Sequence, residues 1–249
     1  MEKLAIFIAK GGTGKTTTAV SLAAGLSADG QRVVLVDTDP QGGISSYFSI
    51  ESTGGLTELL DGKEARLVRV RPNLVVIPSG NGSLGDQSLR LSGPIEQTDL
   101  FGRLFAELHD TDFVIFDCSP LLNAITQGVL AYADHVLIPV SMDYLSAVTA
   151  VNTVNAINSL PAEERPKILG ILPTFYDRRT KISRVILRML KDHFGDLVME
   201  TIIRTNTQIN EAPSFKKTIF EFAKFSYGSA DYSSLLDEVE LRLKKSSGK

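Results

Sequence analysis

Short, nearly unbroken apolar runs alternate along this chain with longer stretches whose apolar positions recur every three or four residues. The runs Leu4–Ile8, Val33–Asp37, Leu74–Pro78, Phe113–Asp117, His135–Val140, Ile168–Pro173 and Leu197–Ile202 are rich in Val, Ile, Leu and Phe, as strands buried on both faces are. The stretches Thr16–Ala28, Leu100–His109, Ser146–Leu160, Ile182–Phe194 and Ser229–Lys245 lie between them and have helical spacing. Strand and helix in alternation predict an α/β fold, a doubly wound, mostly parallel sheet flanked by helices, with ligands at the carboxyl ends of the strands. No Pro/Ser/Gly-rich linker and no repeat interrupts the pattern. Residues 1–245 therefore read as one domain, and 246–249 as a flexible tail.

Composition excludes several classes without changing that picture. Of 249 residues, 43% are hydrophobic and 22% charged, as in ordinary soluble domains. The first apolar run stops at Lys10 with no cleavage pattern behind it, unlike a secretory leader. No run approaches the roughly 18 apolar residues of a membrane span. Cys118 is the single cysteine, so an intramolecular disulfide is excluded and a cytoplasmic protein is expected. Charge is uneven. Residues 177–224 hold ten Lys/Arg against six Asp/Glu, a local +4, which leaves −7 for the remainder of a chain whose net charge is −3. A basic surface on an acidic protein suits a polyanionic partner.

Chemistry enters after the first strand. Gly11, Gly12, Thr13, Gly14, Lys15 and Thr16 follow an apolar run and open a helical stretch, the setting a phosphate-binding loop needs. Glycines let backbone N–H groups turn inward around phosphate oxygens, and the helix dipole points at the same anion. Lys15 would reach the β- and γ-phosphates, and the Thr16 hydroxyl would ligate Mg²⁺. The usual pattern has glycine where Ala9 stands. Asp37 and Asp117 close apolar runs and Asp39 follows closely, so three carboxylates fall at expected strand ends beside the loop. Lys10 is a second lysine that the loop does not need for its own phosphate.

The segments KGGTGKTT (Lys10–Thr17), DTDPQ (Asp37–Gln41), DCSP (Asp117–Pro120), IPV (Ile138–Val140), YDRRT (Tyr176–Thr180) and NEAPS (Asn210–Ser214) resemble, in that order, the ParA/MinD family of deviant Walker A ATPases. The resemblance covers nearly the whole chain and is greatest to the short ParA type. It implies an ATP hydrolase that uses ATP and Mg²⁺, slow alone and faster with a partner protein. Lys10 would reach across a sandwich homodimer to the other subunit's nucleotide, and Asp39 would position the attacking water. Asp37 and Asp117 would join Thr16 near the metal. The phosphates would sit on Gly11 to Thr17, and adenine near Phe175, Ile203 and Arg204. Departures from the family pattern are Thr174-Phe175 where relatives have asparagine, Ile203-Arg204-Thr205-Asn206 where others read I-P-R-N, Ser119 in place of a proline, and Gln208 in place of an arginine. A single cysteine also argues against the iron–sulfur relatives of this fold, which need a pair per subunit.

For the partner, the expectation is non-specific double-stranded DNA and hence association with the nucleoid. Arg184, Arg188 and Lys191 are spaced by four and three residues on one helical face. Arg178, Arg179 and Lys181 precede that face, Arg204, Lys216 and Lys217 follow it, and Ile182, Val185, Ile186, Met189 and Leu190 are expected on its buried side. The alternative is a MinD-like membrane-surface ATPase using the last helix. There Leu235, Leu236, Val239 and Leu243 form a stripe, but Asp237, Glu238 and Glu240 lie opposite, where anionic lipid would repel them. The loop begins near residue 9, so no operator-binding domain is expected ahead of it. The resemblance then implies a cargo adaptor or centromere-binding protein as the stimulating partner. The cargo would be plasmid or chromosomal DNA or, nearly as readily, a protein assembly.

Overall fold

In the computed structural model, which describes residues 1–51, 54–64, 66–80, 84–85, 101–106, 108 and 110–246, the alternation becomes one sheet. Its strands are β1 (Glu2–Ile6), β2 (Val33–Asp37), β3 (Val68–Arg71), β4 (Leu74–Ile77), β5 (Phe113–Asp117), β6 (His135–Ser141) and β7 (Lys167–Thr174). They lie in the order β3-β4-β2-β5-β1-β6-β7. Every neighbouring pair is parallel except β3 with β4. The chain leaves β1 toward β2 on one side and leaves β5 toward β6 on the other, so a crevice opens between these paths at the carboxyl edge.

The helices are α1 (Lys15–Ala28), α2 (Gly43–Phe48), α3 (Leu56–Leu60), α4 (Ala124–Tyr132), α5 (Tyr144–Asn158), α6 (Lys181–Phe194), α7 (Thr207–Glu211), α8 (Ile219–Phe222) and α9 (Tyr227–Ser246). Alternate residues of each strand face opposite sides. Phe7, Val36, Phe116 and Ile138 join Ile125, Val129, Val154 and Ile186 in the core on one face. Leu4, Ile6, Leu35, Ile115 and Leu137 join α1 and the α9 stripe Leu235, Leu236, Val239 and Leu243 on the other. That stripe is fully used in packing, which leaves it no apolar face for a bilayer. Among the described residues, no helix is long and apolar enough to cross a membrane.

The structure departs from these expectations in several places. Leu197–Ile202 is not a strand. Val198 makes one parallel bridge to Ile171, and Met199 N donates to the Ile171 carbonyl at 2.8 Å. The next two amides, of Glu200 and Thr201, donate instead to the Glu238 carboxylate at 3.0 and 2.8 Å. A side chain from α9 has replaced the ladder. Conversely β3 was not anticipated, because Val68-Arg69-Val70-Arg71 is a half-exposed edge strand without the continuous apolar signature of its neighbours. The helical stretch at 100–109 survives as a turn over 101–104 with Phe101 and Phe105 buried, while Leu100, Glu107 and His109 lie outside the described residues. Ser246 ends α9, and its hydroxyl lies 2.9 Å from His135 Nε2 at the base of β6. Residues 247–249 lie outside the described residues.

α1 and α9 approach at Gly25, where an added Cβ would collide with Leu236 Cδ1. Nearby, the buried Thr18 hydroxyl lies 3.4 Å from the Tyr232 hydroxyl. Gly25→Ala is expected to destabilise the protein by about 1–3 kcal/mol through overpacking, read as a lower Tm in thermal unfolding. Gly25→Ala combined with Leu236→Ala is expected to melt higher than the sum of the two single effects predicts, because the methyl then has room. Simple additivity would show that this contact does not set the helix spacing.

Candidate functional site

The carboxyl edge gathers the loop and two carboxylates by strand register. Asp117 on β5 is paired with Ile6 on one side and with Asp37 on the other, so both acids come up beside the turn that follows β1. Thr38 ties the two strand ends together, its N–H and its hydroxyl both donating to the Asp117 carbonyl at 3.0 and 2.9 Å. The turn itself needs glycine at two positions, since Gly12 and Gly14 have φ of 73° and 90°, a region that side-chain-bearing residues rarely adopt. Gly14 serves as the N-cap of α1, so the first amides of that helix point into the loop. The Thr174 hydroxyl at the end of β7 donates to the Thr13 carbonyl at 2.9 Å and pins the loop from the opposite side.

Lys15 is 7% exposed, and its ammonium donates to the Lys10 carbonyl at 2.8 Å. Burial lowers its pKa, against the pull of Asp117 and Asp39. Asp37 and Asp117 are buried at 0 and 1% exposure, but they differ in what they bind. Asp37 accepts the amides of Asp39 and Ile44 at 3.1 and 3.0 Å. It organises the 37–44 turn, and each of its oxygens is already engaged. Asp117 is the freer group, with both oxygens buried and no well-formed hydrogen bond from the protein. Burial pushes it up to about 7, against the Thr16 hydroxyl and the Lys15 ammonium. Desolvation, then its neighbour Asp117, likewise pushes Asp37 well above the usual carboxylate range.

Two buried carboxylates beside one ammonium make a site that a divalent cation would relieve. Among the described residues there is no group of three or more His, Cys, Asp or Glu fit to enclose a metal. A sparse oxygen set suits Mg²⁺, which keeps several waters and takes substrate phosphates as ligands. The Thr16 hydroxyl and Asp117, directly or through water, fit that ion, and Asp37 could join only by sharing oxygens that already accept amides. Asp39 is half-buried at the rim, accepts the Gln41 amide at 3.0 Å, and lies near enough to act on the charges of Lys15 and Asp117. Cys118 is a fully buried thiol whose pKa burial raises, and it acts as core.

Lys10 goes elsewhere. Its ammonium sits 3.0 Å from each Asp143 oxygen and 2.6 Å from Ser146 Oγ, and its side chain is 28% exposed. Asp143 N-caps α5 through the Ser146 amide and accepts the Ser141 hydroxyl at 2.6 Å. Burial would raise its pKa, but the hydrogen bonds from Ser141, Ser146 and Lys10 outweigh that and hold the carboxyl well below its usual range. Sequence reasoning missed Ser141, Asp143 and Ser146. The available signal was an N-cap pattern, Asp followed three residues later by Ser, directly after a strand.

On the far side of the loop, Gly14, Thr17, Phe175, Ile203, Arg204 and Asn206 are among the residues around a narrow cavity. Phe175 is held at φ 52°. It lies against Gly14, with Cε2 3.6 Å from where a Cβ would stand. This brings together the expected adenine-side residues Phe175, Ile203 and Arg204. The Arg204 guanidinium is itself engaged, bonded to the buried Asp231 and 4.3 Å from the Tyr227 ring centroid.

The basic residues separate into two groups. Arg178, Lys181, Arg184, Arg188, Lys216 and Lys217 are exposed and make no ion pair among the described residues, whereas Arg179 is tied to Asp177 and Lys191 to Glu200. The buried side of α6 is narrower than expected and consists of Ser183, Ile186 and Leu190. Ile182, Val185 and Met189 are 50, 42 and 43% exposed. Their angular positions place them on a third face of the helix, apart from both the core stripe and Arg184/Arg188.

The role of Asp117 can be tested by removing the metal. Chelating Mg²⁺ is expected to weaken ATP binding by the wild-type chain about ten-fold or more and to change it little in Asp117→Asn, which has no ion to lose. Equal Mg²⁺ dependence in both proteins would remove Asp117 from the metal site.

Comparison with known proteins agrees with this geometry. The model of a family described as an AAA domain matches residues 1–169. The chromosome-partitioning ATPase Soj of Thermus thermophilus is 35% identical over 248 residues, which cover 98% of each chain. Among solved structures, cobyrinic acid a,c-diamide synthase from Mycobacterium smegmatis, bound to ADP and magnesium, is similar at TM-score 0.79 and 29% identity, over 100% of this chain and 97% of that one. McdA from Cyanothece shares the fold at TM-score 0.85 and 22% identity, over 98 and 99%. With a phosphate loop on this sheet and a near full-length match to Soj, the chain belongs to the ParA/MinD family of P-loop ATPases.

Proposed function

We propose that this chain is a ParA-type positioning ATPase whose ATP- and Mg²⁺-bound form is a sandwich homodimer that binds DNA without sequence preference. Lys10 supports the dimer. It lies five residues from Lys15, yet its ammonium is held on the outer rim by Asp143 and Ser146, where it adds nothing to its own phosphate cradle. A lysine there can reach outward to the nucleotide of a second copy, so charge stabilisation at the transferring phosphoryl group would be complete only in the dimer. To do so it must leave Asp143, which makes the ion pair a restraint on dimerisation.

Within that reading, Gly11 to Thr17 hold the phosphates and Lys15 neutralises them. Asp39 orients the attacking water from the rim. Bound Mg²⁺, held by Thr16 and Asp117, would supply charge neutralisation between the phosphates. The exposed cations of α6 and the segment before it would neutralise DNA phosphates without reading bases. Two copies side by side would double that surface, so ATP would switch DNA binding on through avidity. Such a protein would work in the cytoplasm on the nucleoid. A centromere-binding protein or cargo adaptor would stimulate slow hydrolysis, with DNA partition slightly favoured over protein cargo because relatives at 32 and 35% identity carry the names of chromosome-partitioning proteins.

Two experiments test the reading. In size-exclusion chromatography with ATP, Asp39→Ala is expected to elute as a dimer and Lys10→Ala/Asp39→Ala as a monomer, with nucleotide affinity of both within about three-fold of wild type. Dimers of both variants would remove Lys10 from the interface. In fluorescence anisotropy with random duplex DNA, binding is expected with ATP and not ADP. Arg184→Ala/Arg188→Ala removes four arginines from the dimer and is expected to lower the slope of log affinity against log salt by about 4, since each lost phosphate contact removes about 0.9. An unchanged slope would leave α6 as a solvated face only.

A further inference from the structure

The two most exposed large apolar side chains among the described residues stand two positions apart. Phe225 is 98% exposed and Tyr227 71%. Phe215, at 61%, belongs to the same stretch and stacks on Phe222 with centroids 5.0 Å apart. A tight turn, closed by the Ser226 amide on the Ala223 carbonyl at 2.9 Å, carries Phe225 into solvent. A ring in that position adds nothing to the core, so its apolar surface is available to a partner.

The stretch that carries these rings is rich in unpaired cations. Lys216, Lys217 and Lys224 are exposed and have no ion pair among the described residues. The neighbouring acids Glu221 and Asp231 are neutralised by Arg71 and Arg204, which leaves Glu211 as the exposed, unpaired acid of the 207–227 stretch. Tyr227 is also held in place. The Arg204 guanidinium covers one side of its ring at 4.3 Å and is itself anchored by Asp231. Arg204 bridges to Tyr176, two residues before Arg178 and the start of the basic row, so Tyr227 lies toward that row.

We propose that Phe225 and Tyr227, with Lys216, Lys217 and Lys224 of the same stretch, form a stacking site for the unpaired bases of a single-stranded or locally opened nucleic acid. Every base has a π-face, so exposed rings take bases without reading sequence, while the lysines take the phosphates. The basic row of α6 can use only the phosphates of a duplex, whose base faces are hidden. The patch therefore adds a second preference, for unpaired strands, at the same edge. This inference rests on the DNA reading above for its polyanion and makes a separate claim about base contact. Aromatic rings among lysines also suit an anionic bilayer. The guanidinium-backed Tyr227 favours bases, because a bilayer needs only apolar bulk and no fixed ring plane.

Anisotropy of the full chain with ATP, on a labelled oligothymidine single strand and on random duplex, distinguishes the two through side chains of equal apolar character. Phe225→Leu/Tyr227→Leu is expected to weaken single-strand binding about ten-fold or more. The same variant should change duplex binding by less than about three-fold, because the α6 phosphate contacts remain. Phe225→Trp/Tyr227→Phe, which keeps the rings, is expected to bind the single strand like wild type. Both positions face solvent, and thermal melting checks that the variants are folded. Wild-type single-strand binding by the leucine variant, or no single-strand binding by the wild type, overturns the proposal. So does sedimentation with phosphatidylserine vesicles that the leucine variant retains while single-strand affinity is unchanged, which would assign the patch to lipid. Loss of duplex binding in Arg184→Ala/Arg188→Ala with single-strand binding intact supports both claims, and duplex binding lost in neither variant counts against the α6 reading alone.

Discussion

Two carboxylates in register at the ends of adjacent strands, Asp37 on β2 and Asp117 on β5, set the terms for everything at the carboxyl edge. Removing a carboxylate from water costs several kcal/mol unless it is paired or well hydrogen-bonded. The protein meets that cost unequally. Asp37 receives two backbone amides and becomes the organiser of a turn. Asp117 is left against one buried lysine with its oxygens unsatisfied. A fold without a cation in view would have no reason to keep such a group there. The same strand register that makes the problem also brings the phosphate loop and the Asp39 rim to it.

The two lysines of the loop show how position along a short segment separates roles. Lys15 lies on the first turn of α1 and is drawn inward, its ammonium on the Lys10 carbonyl. Lys10 precedes the glycines and is drawn outward to the N-terminus of α5, where Asp143, Ser141 and Ser146 form a compact polar nest. Asp143 caps its helix and holds the lysine with the same carboxylate. Any motion that pulls Lys10 away therefore changes the charge balance at the start of α5. Loop and helix are coupled by that ion pair and by the Ala9 amide on the Thr153 hydroxyl.

The outer edge beyond β7 follows different physics. The segment 198–203 runs beside β7 but gives two of its amides to Glu238, whose partner Arg242 in turn donates to the carbonyls of Leu169, Asp196 and Val198. α9 thereby closes an edge that would otherwise present unpaired backbone. Its apolar stripe is consumed against other helices and the sheet, while Phe225 and Tyr227 just before and at its start stay exposed. An acidic protein can present exposed lysines there because Glu221 and Asp231 nearby are paired with Arg71 and Arg204.

Much of this was legible in the order of residues. Runs such as VVLVD and FVIFD could be placed as buried strands because a strand covered on both faces needs apolar side chains at every position, and that pattern is local. The loop glycines, Lys15, Thr16 and the strand-end aspartates were legible because phosphate binding demands particular residue types at fixed spacing. The motif order carried the family. The half-exposed β3 was not legible, since an edge strand lacks the continuous apolar signature. Nor was the loss of the expected strand at 197–202, which depends on a glutamate some forty residues away. The exposure of Ile182, Val185 and Met189, the engagement of Asp37 by amides, and the hold of Asp143 on Lys10 were likewise decided only in three dimensions. Sequence spacing tells which side chains share a face. Which face is covered, and which charge finds a partner, depends on elements that meet only when the sheet and its helices close.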